Sequence, residues 1–457
     1  MSDNTLALDP DSRDDAPRTL EEILESAELS ELRTWLDDRP AHRVADEMAR
    51  VGPVGAAITF RLLDKERALE VFEELDWENQ QHILEGLRDK EFRDLVEDMD
   101  PDDRVEFLQE APAKVAQRVL GGLSPRERGM TAALLGYPDR SVGRRMTPEM
   151  VVLPANLTAK QALGRIRARG NDAETIYTLP VIEGGRRLIG VVDLRDLVLS
   201  APKVRVVDLI TSDLITVQAT DSAEKAARLM QETNQLNLPV VDSEGRLVGL
   251  FTYDDADEVI EEADSEDIAR QAGTTHWTGH YMAAGVWRLA RYRATWLSLL
   301  LVAATLTVSV TRVFEATLEQ VAALALFIPM LIGAGGNAGA QAATACVRAL
   351  AVGEVRGSDL FRVIWRESRV GLLLGGMLAI LGMIVATVIA DFHIAVVIGI
   401  SLVLICSWAA TVGGTMPLIA KKLRIDPAVV SAPMVTTLVD ATGLILYFLT
   451  AKIVLGV

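Results

Sequence analysis

The sequence predicts a multidomain chain: an all-α superhelical N-domain, an α/β pair of duplicated modules and a five-helix α transmembrane domain. Three observations predict it. Residues 17–137 repeat a short Asp- or Pro-containing turn followed by an amphipathic run. Residues 138–258 hold two copies of one pattern, with Pro180 and Gly190 each answered 59 positions on. From residue 286 onward the chain is dominated by apolar runs long enough to span a bilayer, which needs ~20 residues. Residues 1–16, polar and acidic, read as a disordered N-terminus, and residues 259–285 as an acidic connecting helix.

The N-domain repeats are "LDKERALEVFEEL", "LRDKEFRDLVEDM" and "MDPDDRVEFLQEA". They begin at residues 63, 87 and 99, and the step of two dozen residues between the first two is that of helix pairs stacked into a small superhelix. Asp100 and Pro101 before "DDRVEF" read as a helix start. No catalytic constellation lies here. The chain's charge is −18 overall, but residues 281–457 hold 13 Lys and Arg against 8 Asp and Glu, which leaves −23 in the first 280. Two readings of that acidity stand: a solvated surface, or carboxylates that collect cations. The opening "MSDNTLALDPDSRDDAPRTL" has neither a basic nor an apolar signal region, so the soluble part is expected in the cytoplasm. Cys346 and Cys406 lack metal-ligand spacing and offer no disulfide framework.

In the duplicated part, "LPVIEGGRRLIGVVDLRDL" (179–197) matches "LPVVDSEGRLVGLFTYDDA" (238–256), with Pro180 and Gly190 answered by Pro239 and Gly249. Upstream, "MTPEMVVLPANLTAKQAL" matches "ITSDLITVQATDSAEKAA". Each copy reads strand–helix–strand–turn–strand–helix. The pair resembles a tandem cystathionine-β-synthase (CBS) domain pair, which implies a regulatory module and makes ATP a candidate ligand. In nucleotide-binding copies a Thr/Ser-x-x-Asp turn contacts ribose. Thr252 and Asp255 fill that turn in the second copy, whereas the first has Asp193 in place of the Thr.

The pair runs into "TYDDADEVIEEADSEDIARQAG" (252–273), where like charges at i,i+3 and i,i+4 destabilise an isolated helix. Either the segment is solvated, or it packs on another acidic surface with a counter-ion between.

Five spans are expected, at about 294–314, 321–345, 368–390, 394–420 and 430–455. Basic connections alternate with basic-poor ones, which places the N-terminal part in the cytoplasm and the C-terminus outside. Glu315 and Glu319 lie in an expected outer connection, as ion-attracting residues or as a plain loop. "GAGGNAGAQAAT" (333–344) allows close helix approach, with Asn337 and Gln341 on one face. Pro329, Pro417 and Pro433 can loosen helices and free carbonyls. Asp440 is the sharper feature. An acid at bilayer depth costs ~2.5–3.5 kcal/mol on insertion scales, so it faces an interior or a water-filled path. It is either hydrogen-bonded to Thr436, Thr437 or Thr442 for packing, or paired with a cation. Hard divalent ions take carboxylate, carbonyl and water oxygens.

The order of acidic helical repeats, CBS pair, acidic helix and five spans with "GGNAGAQAAT" and "LVDATGLILYF" resembles the MgtE family of magnesium channels or transporters over nearly the whole chain. The resemblance implies a homodimer in the plasma (inner) membrane whose two membrane domains line one pore. Its ion site is implied at Asp440, with Asn337, Thr436 and Gly443 around it. It also implies closure by cytosolic Mg2+ bridging the N-domain (Glu70, Asp102, Glu106), the CBS end (Asp255, Glu258) and the connecting "plug" helix (Glu266, Asp267), with Asp426 facing the plug. At position 263 the chain has Ala where the family pattern has an acid, and neighbouring Glu262 is the substitute. Mg2+ is thus expected as permeant ion and as regulator.

The rivals are a secondary transporter coupling a divalent cation to Na+ or H+, and a membrane-anchored nucleotide sensor. There is no Walker A loop, HExxH or GxSxG, and the five histidines do not cluster, so no catalytic residues and no enzyme activity are expected. Nucleic acid is not expected as a partner.

Overall fold

The structure is a computed structural model and describes residues 19–26, 29–211, 214–274, 285–424, 427, 430 and 432–456. The expected disordered residues 1–16 and the acid Asp426 lie outside them. The chain divides into two compact units, residues 1–263 with 278–284, and residues 264–277 with 285–457.

The first unit opens with short helices: α1 (Leu20–Ser26), α2 (Leu29–Asp37), α3 (Ala41–Met48), α4 (Pro53–Phe60), α5 (Lys65–Glu73), α6 (Trp77–Gly86), α7 (Asp89–Asp98), α8 (Pro101–Glu110), α9 (Ala113–Gly122) and α10 (Pro125–Leu135). Their starts are written in the sequence. The side chains of Asp64, Asp76 and Ser124 accept the N–H of Arg67, Asn79 and Glu127, and Pro53, Pro101 and Pro125 stand in first turns. Asp100 stands at the start of α8 as expected, but its side chain makes no cap hydrogen bond. One face of each helix feeds a core of Phe60, Phe72, Phe92, Phe107 and their aliphatic neighbours.

The duplication follows as β1 (Leu153–Pro154), α11 (Ala159–Arg169), β2 (Thr178–Glu183), β3 (Arg187–Asp193) and α12 (Leu194–Leu199), then β4 (Val217–Gln218), α13 (Ala223–Thr233), β5 (Asn237–Val241), β6 (Leu247–Thr252) and α14 (Tyr253–Gln271). Each copy is a three-stranded sheet, with β1 parallel to β2 and β2 antiparallel to β3, and the same arrangement in β4, β5 and β6. The repeat extends to the irregularities: the ladder shifts at Val181/Ile182 in one copy and at Val240/Val241 in the other. Gly190 and Gly249 follow the same logic. A Cβ on Gly190 would collide with Ile210, and one on Gly249 would sit 2.6 Å from the Met146 sulfur. In each copy the segment leading into one of the modules crosses a strand over a residue without a side chain.

Val105 of α8 and Leu134 of α10 share a core with Met146, Phe251, Ala256 and Ile260. This seats the acidic face of α8 beside the start of α14. Arg104, fully buried, donates to the carbonyls of Val96 (2.9 Å), Glu97 (3.2 Å) and Met99 (2.5 Å) and to the Thr131 hydroxyl, and it pairs with Glu127 at 3.1 Å. A buried guanidinium needs that many acceptors, and the set fixes α8 in rotation.

α14 belongs to the first unit as far as Ala263 and to the second from Asp264. In the second unit follow α15 (Val286–Val313), α16 (Glu315–Gln320), α17 (Ile328–Ala351), α18 (Leu360–Ile389), α19 (Phe392–Lys422) and α20 (Ala432–Leu455). Five of these segments are long and apolar enough to cross a membrane: α15, α17 with the short 3-10 turn before it, α18 with the turn before it, α19 and α20. α19 is the most enclosed of the five, while α15 has no buried residue in its apolar stretch and is covered only in part, at residues such as Trp296 and Val310. The prolines correct the expectation that all three loosen helices. Pro329 and Pro433 stand in the first turns of α17 and α20, where no N–H is required of them, and only Pro417 lies inside a helix.

Candidate functional site: two sets of carboxylates

In the second unit the site is built by close approach of α17 and α20. A side chain at Gly336 would place its Cβ 2.7 Å from Thr436 Cγ2 and 3.5 Å from Asp440 Oδ1. The bare glycine therefore brings the α17 backbone against the acid. Leu331, Ile332, Ile405, Val439, Gly443 and Leu444 line the same crevice as Asp440. Asp440 Oδ1 is buried and has no hydrogen-bond partner among the described residues. The threonines do not satisfy it. Thr436 donates to the Ala432 carbonyl, Thr437 to Pro433 and Thr442 to Leu438, each at 2.9 Å, and Thr442 accepts from the Trp408 indole at 3.0 Å. Packing by threonine hydroxyls, one of the two readings of Asp440, is not the arrangement found. Asn337 is exposed on α17, one residue beyond Gly336, and Gly443 is buried against Ile405.

A glycine stripe this tight is sensitive to volume. A Cβ on Gly413 of α19 would collide with the Gly339 carbonyl of α17. Gly413→Ala is expected to lower the melting temperature of the membrane unit, at an overpacking cost of about 1–3 kcal/mol. Thermal unfolding of the detergent-solubilised protein checks it.

In the first unit the carboxylate oxygens of Asp102 (α8), Glu174 (the loop before β2) and Asp255 (α14) lie within 4.8 Å of one another. Asp102 is 4% exposed, and its Oδ1 has no hydrogen-bond partner among the described residues. Burial, then the neighbouring acids, pushes Asp102 well above the carboxylate range. Burial does the same to Asp255, against the hydrogen bond that the Thr252 hydroxyl donates to it. Glu174 rises to about 7, chiefly through burial. Thr252 and Asp255, named as nucleotide contacts, are thus engaged with each other and surrounded by acids. A second set, Glu73 of α5 with Asp100 and Asp103 at the start of α8, is equally close. Burial first, and like charge second, raises Glu73 to about 7 and Asp103 to about 9. Here lies the Asp100 carboxylate that caps no helix. Sequence reading missed Glu73, Asp103 and Glu174; the "DPDD" run was the one local signal.

These shifts have a sign. An acid raised on folding binds more protons folded than unfolded, so stability falls as pH rises. Without divalent ions, the soluble unit is expected to lose stability from the ordinary carboxylate range up through about 7 for Glu73 and Glu174 and about 9 for Asp103. Melting curves in EDTA across that range check it, and Mg2+ should flatten the slope.

The other named acids are placed differently. Glu70 pairs with Arg67 on its own helix at 2.7 Å. Glu106, Glu258 and Glu262 surround Arg145. Glu266 pairs with Arg270 in the second unit, as a helical neighbour, and Asp267 is half-buried on the same helix. Just beyond α14, Gly273 has φ +67° and lies against Trp296 of α15 and Pro433 of α20, so the end of the acidic helix reaches the start of the helix that carries Asp440.

Three family profiles match the chain: the MgtE intracellular N domain over residues 40–140, the CBS domain over 140–202 and 206–262, and MgtE, described as a divalent cation transporter, over 328–450. The magnesium transporter MgtE of Thermus thermophilus is 37% identical over 445 residues, covering 96% of this chain and 95% of its own length. The chain belongs to the MgtE family. The Bacillus subtilis magnesium transporter MgtE is 32% identical, covering 93% of this chain and 94% of its own. Among solved structures, the crystal structure of the cytosolic domain of the Mg2+ channel MgtE in complex with ATP aligns at a TM-score of 0.50 and 34% identity, over 53% of this chain and 98% of that one. The MgtE profile covers both Gly336 and Asp440.

Proposed function

We propose that this MgtE-family protein conducts Mg2+ into the cell across the plasma membrane, with Asp440 as the ion site of its pore. The carrying observation is the buried Asp440 oxygen in a membrane helix, without a hydrogen-bond partner among the described residues and set against the α17 backbone at Gly336. A carboxylate in that setting is costly alone and favourable with a cation. Mg2+ dehydrates reluctantly and keeps several waters, so one carboxylate per chain and surrounding carbonyls suffice for a largely hydrated ion. The largely exposed apolar side of α15 is consistent with a lipid boundary or with a second protomer, and we take the working unit as a homodimer with two Asp440 carboxylates facing one axis. The soluble unit is then cytoplasmic and the C-terminus outside.

Closure by cytosolic Mg2+ belongs to the same reading. Asp102, Glu174 and Asp255 provide hard oxygen donors and an orphaned buried oxygen, the composition that suits a hard divalent ion. They would hold it between α8 and α14, and α14 ends against α15 and α20. A bound ion neutralises acids that otherwise repel, so it favours whichever arrangement brings them together. Uptake of Mg2+ into liposomes, read by an enclosed dye, tests conduction. Flux that persists without any Na+ or H+ gradient and reverses with voltage is expected, whereas strict dependence on a counter-ion gradient would favour coupled transport.

A further inference from the structure

Glu106, Glu258 and Glu262 were each expected among the acids that divalent ions bridge. In the structure a cation stands among them, and it is part of the chain. Arg145 pairs through Nη1 with Glu106 of α8 and with Glu258 of α14 at 3.2 Å, and through Nη2 with Glu262 at 3.1 Å. Its side chain is 15% exposed. Glu258 and Glu262 are four apart on one helix face, where two like charges destabilise the helix unless a cation lies between.

The placement of Arg145 is built into the backbone. It follows the short 3-10 turn Val142–Arg144 and immediately precedes Met146, which rests on Gly249. Thr147 then exchanges two backbone hydrogen bonds with Leu250 of β6, at 2.8 and 2.9 Å. The crossing segment is thus pinned to the strand that leads into α14, and the guanidinium is held over the first turns of that helix. The duplication provides an internal control. In the other copy Ile210 rests on Gly190, and Thr211 donates to Val191 at 3.1 Å, so the residue equivalent to Arg145 is Leu209, which packs into an apolar cluster. One crossing carries a leucine; the crossing that faces the acids carries an arginine.

We propose that Arg145 is a tethered counter-ion that occupies one of the cation places between α8 and α14, so that divalent ions act on this face only at the neighbouring Asp102, Glu174 and Asp255. The second half of this statement rests on the regulatory reading above; the first does not. A tethered charge cannot be diluted away, so this part of the α8–α14 contact persists at any Mg2+ concentration, and the response to Mg2+ is carried by fewer ions. Removing the guanidinium leaves three carboxylates with the oxygen donors a divalent ion requires.

The test uses the full chain in detergent, with Mn2+ as the probe, counted by electron paramagnetic resonance, and with melting temperature as a second readout. Arg145→Gln is expected to melt below the natural protein in EDTA, to regain the difference in millimolar Mn2+, and to bind one more Mn2+ per chain. Arg145→Lys is expected to keep the natural count. Glu262→Gln in the natural background is expected to leave the count unchanged, and a lower count would show that these carboxylates hold a divalent ion despite Arg145. A melting deficit in Arg145→Gln that Mn2+ does not restore, or an unchanged Mn2+ count, overturns the proposal. If the natural protein binds no Mn2+ that Asp102→Asn removes, the regulatory reading fails, while the increment in Arg145→Gln still decides the role of Arg145.

Discussion

Asp440→Asn protein reconstituted in liposomes is expected to take up Mg2+ about 100-fold more slowly than the natural protein. The figure follows from the cost of the acid itself. A carboxylate at bilayer depth is unfavourable by ~3 kcal/mol on insertion scales, and a permeant cation that offsets that penalty gains a comparable stabilisation, worth about two orders of magnitude in occupancy. Asn keeps the volume and the position on α20, so the packing of Gly336 against Thr436 is undisturbed. The same substitution is expected to raise the melting temperature in EDTA, because the buried oxygen no longer belongs to a charged group. Loss of flux together with a gain in stability separates an ion site from a structural residue, which would lose both. Flux equal to that of the natural protein would remove Asp440 from the pore.

Asp102→Asn is expected to shift closure to about tenfold higher cytosolic Mg2+, the equivalent of about 1.4 kcal/mol of lost ion binding. Asp102 is the most enclosed of its three carboxylates and carries the orphaned oxygen. Burial and like charge make its ionised form costly in the folded protein, so stability in EDTA above the carboxylate range should rise in the variant. Stabilisation by Mg2+ should shrink at the same time, since a ligand stabilises in proportion to its affinity. Melting temperatures with and without Mg2+, at fixed pH, separate these two effects. An unchanged Mg2+ dependence of both closure and melting would take the regulatory ion away from this set.

What was legible in the sequence followed from local chemistry. The five apolar runs, the proline and aspartate helix starts and the internal duplication each report on neighbours along the chain, and the structure carries the duplication down to matching ladder shifts. Asp440 was legible because a single acid in an apolar helix stands out without any knowledge of partners. The acid sets of the first unit were only partly legible. Asp102 and Asp255 came from the family resemblance, but Glu174 lies in a loop far from both in sequence, and Glu73 reaches Asp100 and Asp103 only because α5 and α8 pack into one unit. Arg145 was invisible for a different reason. Nothing in "SVGRRMTPE" says which of its arginines will be carried over an acidic helix; that is decided by Gly249 and the two hydrogen bonds between Thr147 and Leu250. The threonines beside Asp440 were ambiguous because a hydroxyl in a helix can serve the acid or its own backbone, and here each chose the carbonyl one turn back.

On the proposed reading, one protein both conducts Mg2+ and is closed by it. Current recorded from the purified protein in a planar bilayer, with Mg2+ stepped from micromolar to millimolar on the side of the soluble unit, tests it most directly. A Mg2+ current is expected at low concentration, its open probability collapsing as that Mg2+ rises, with the collapse displaced to higher concentration in Asp102→Asn. A current whose open probability does not respond to Mg2+ on that side, or no Mg2+ current at all, would contradict it.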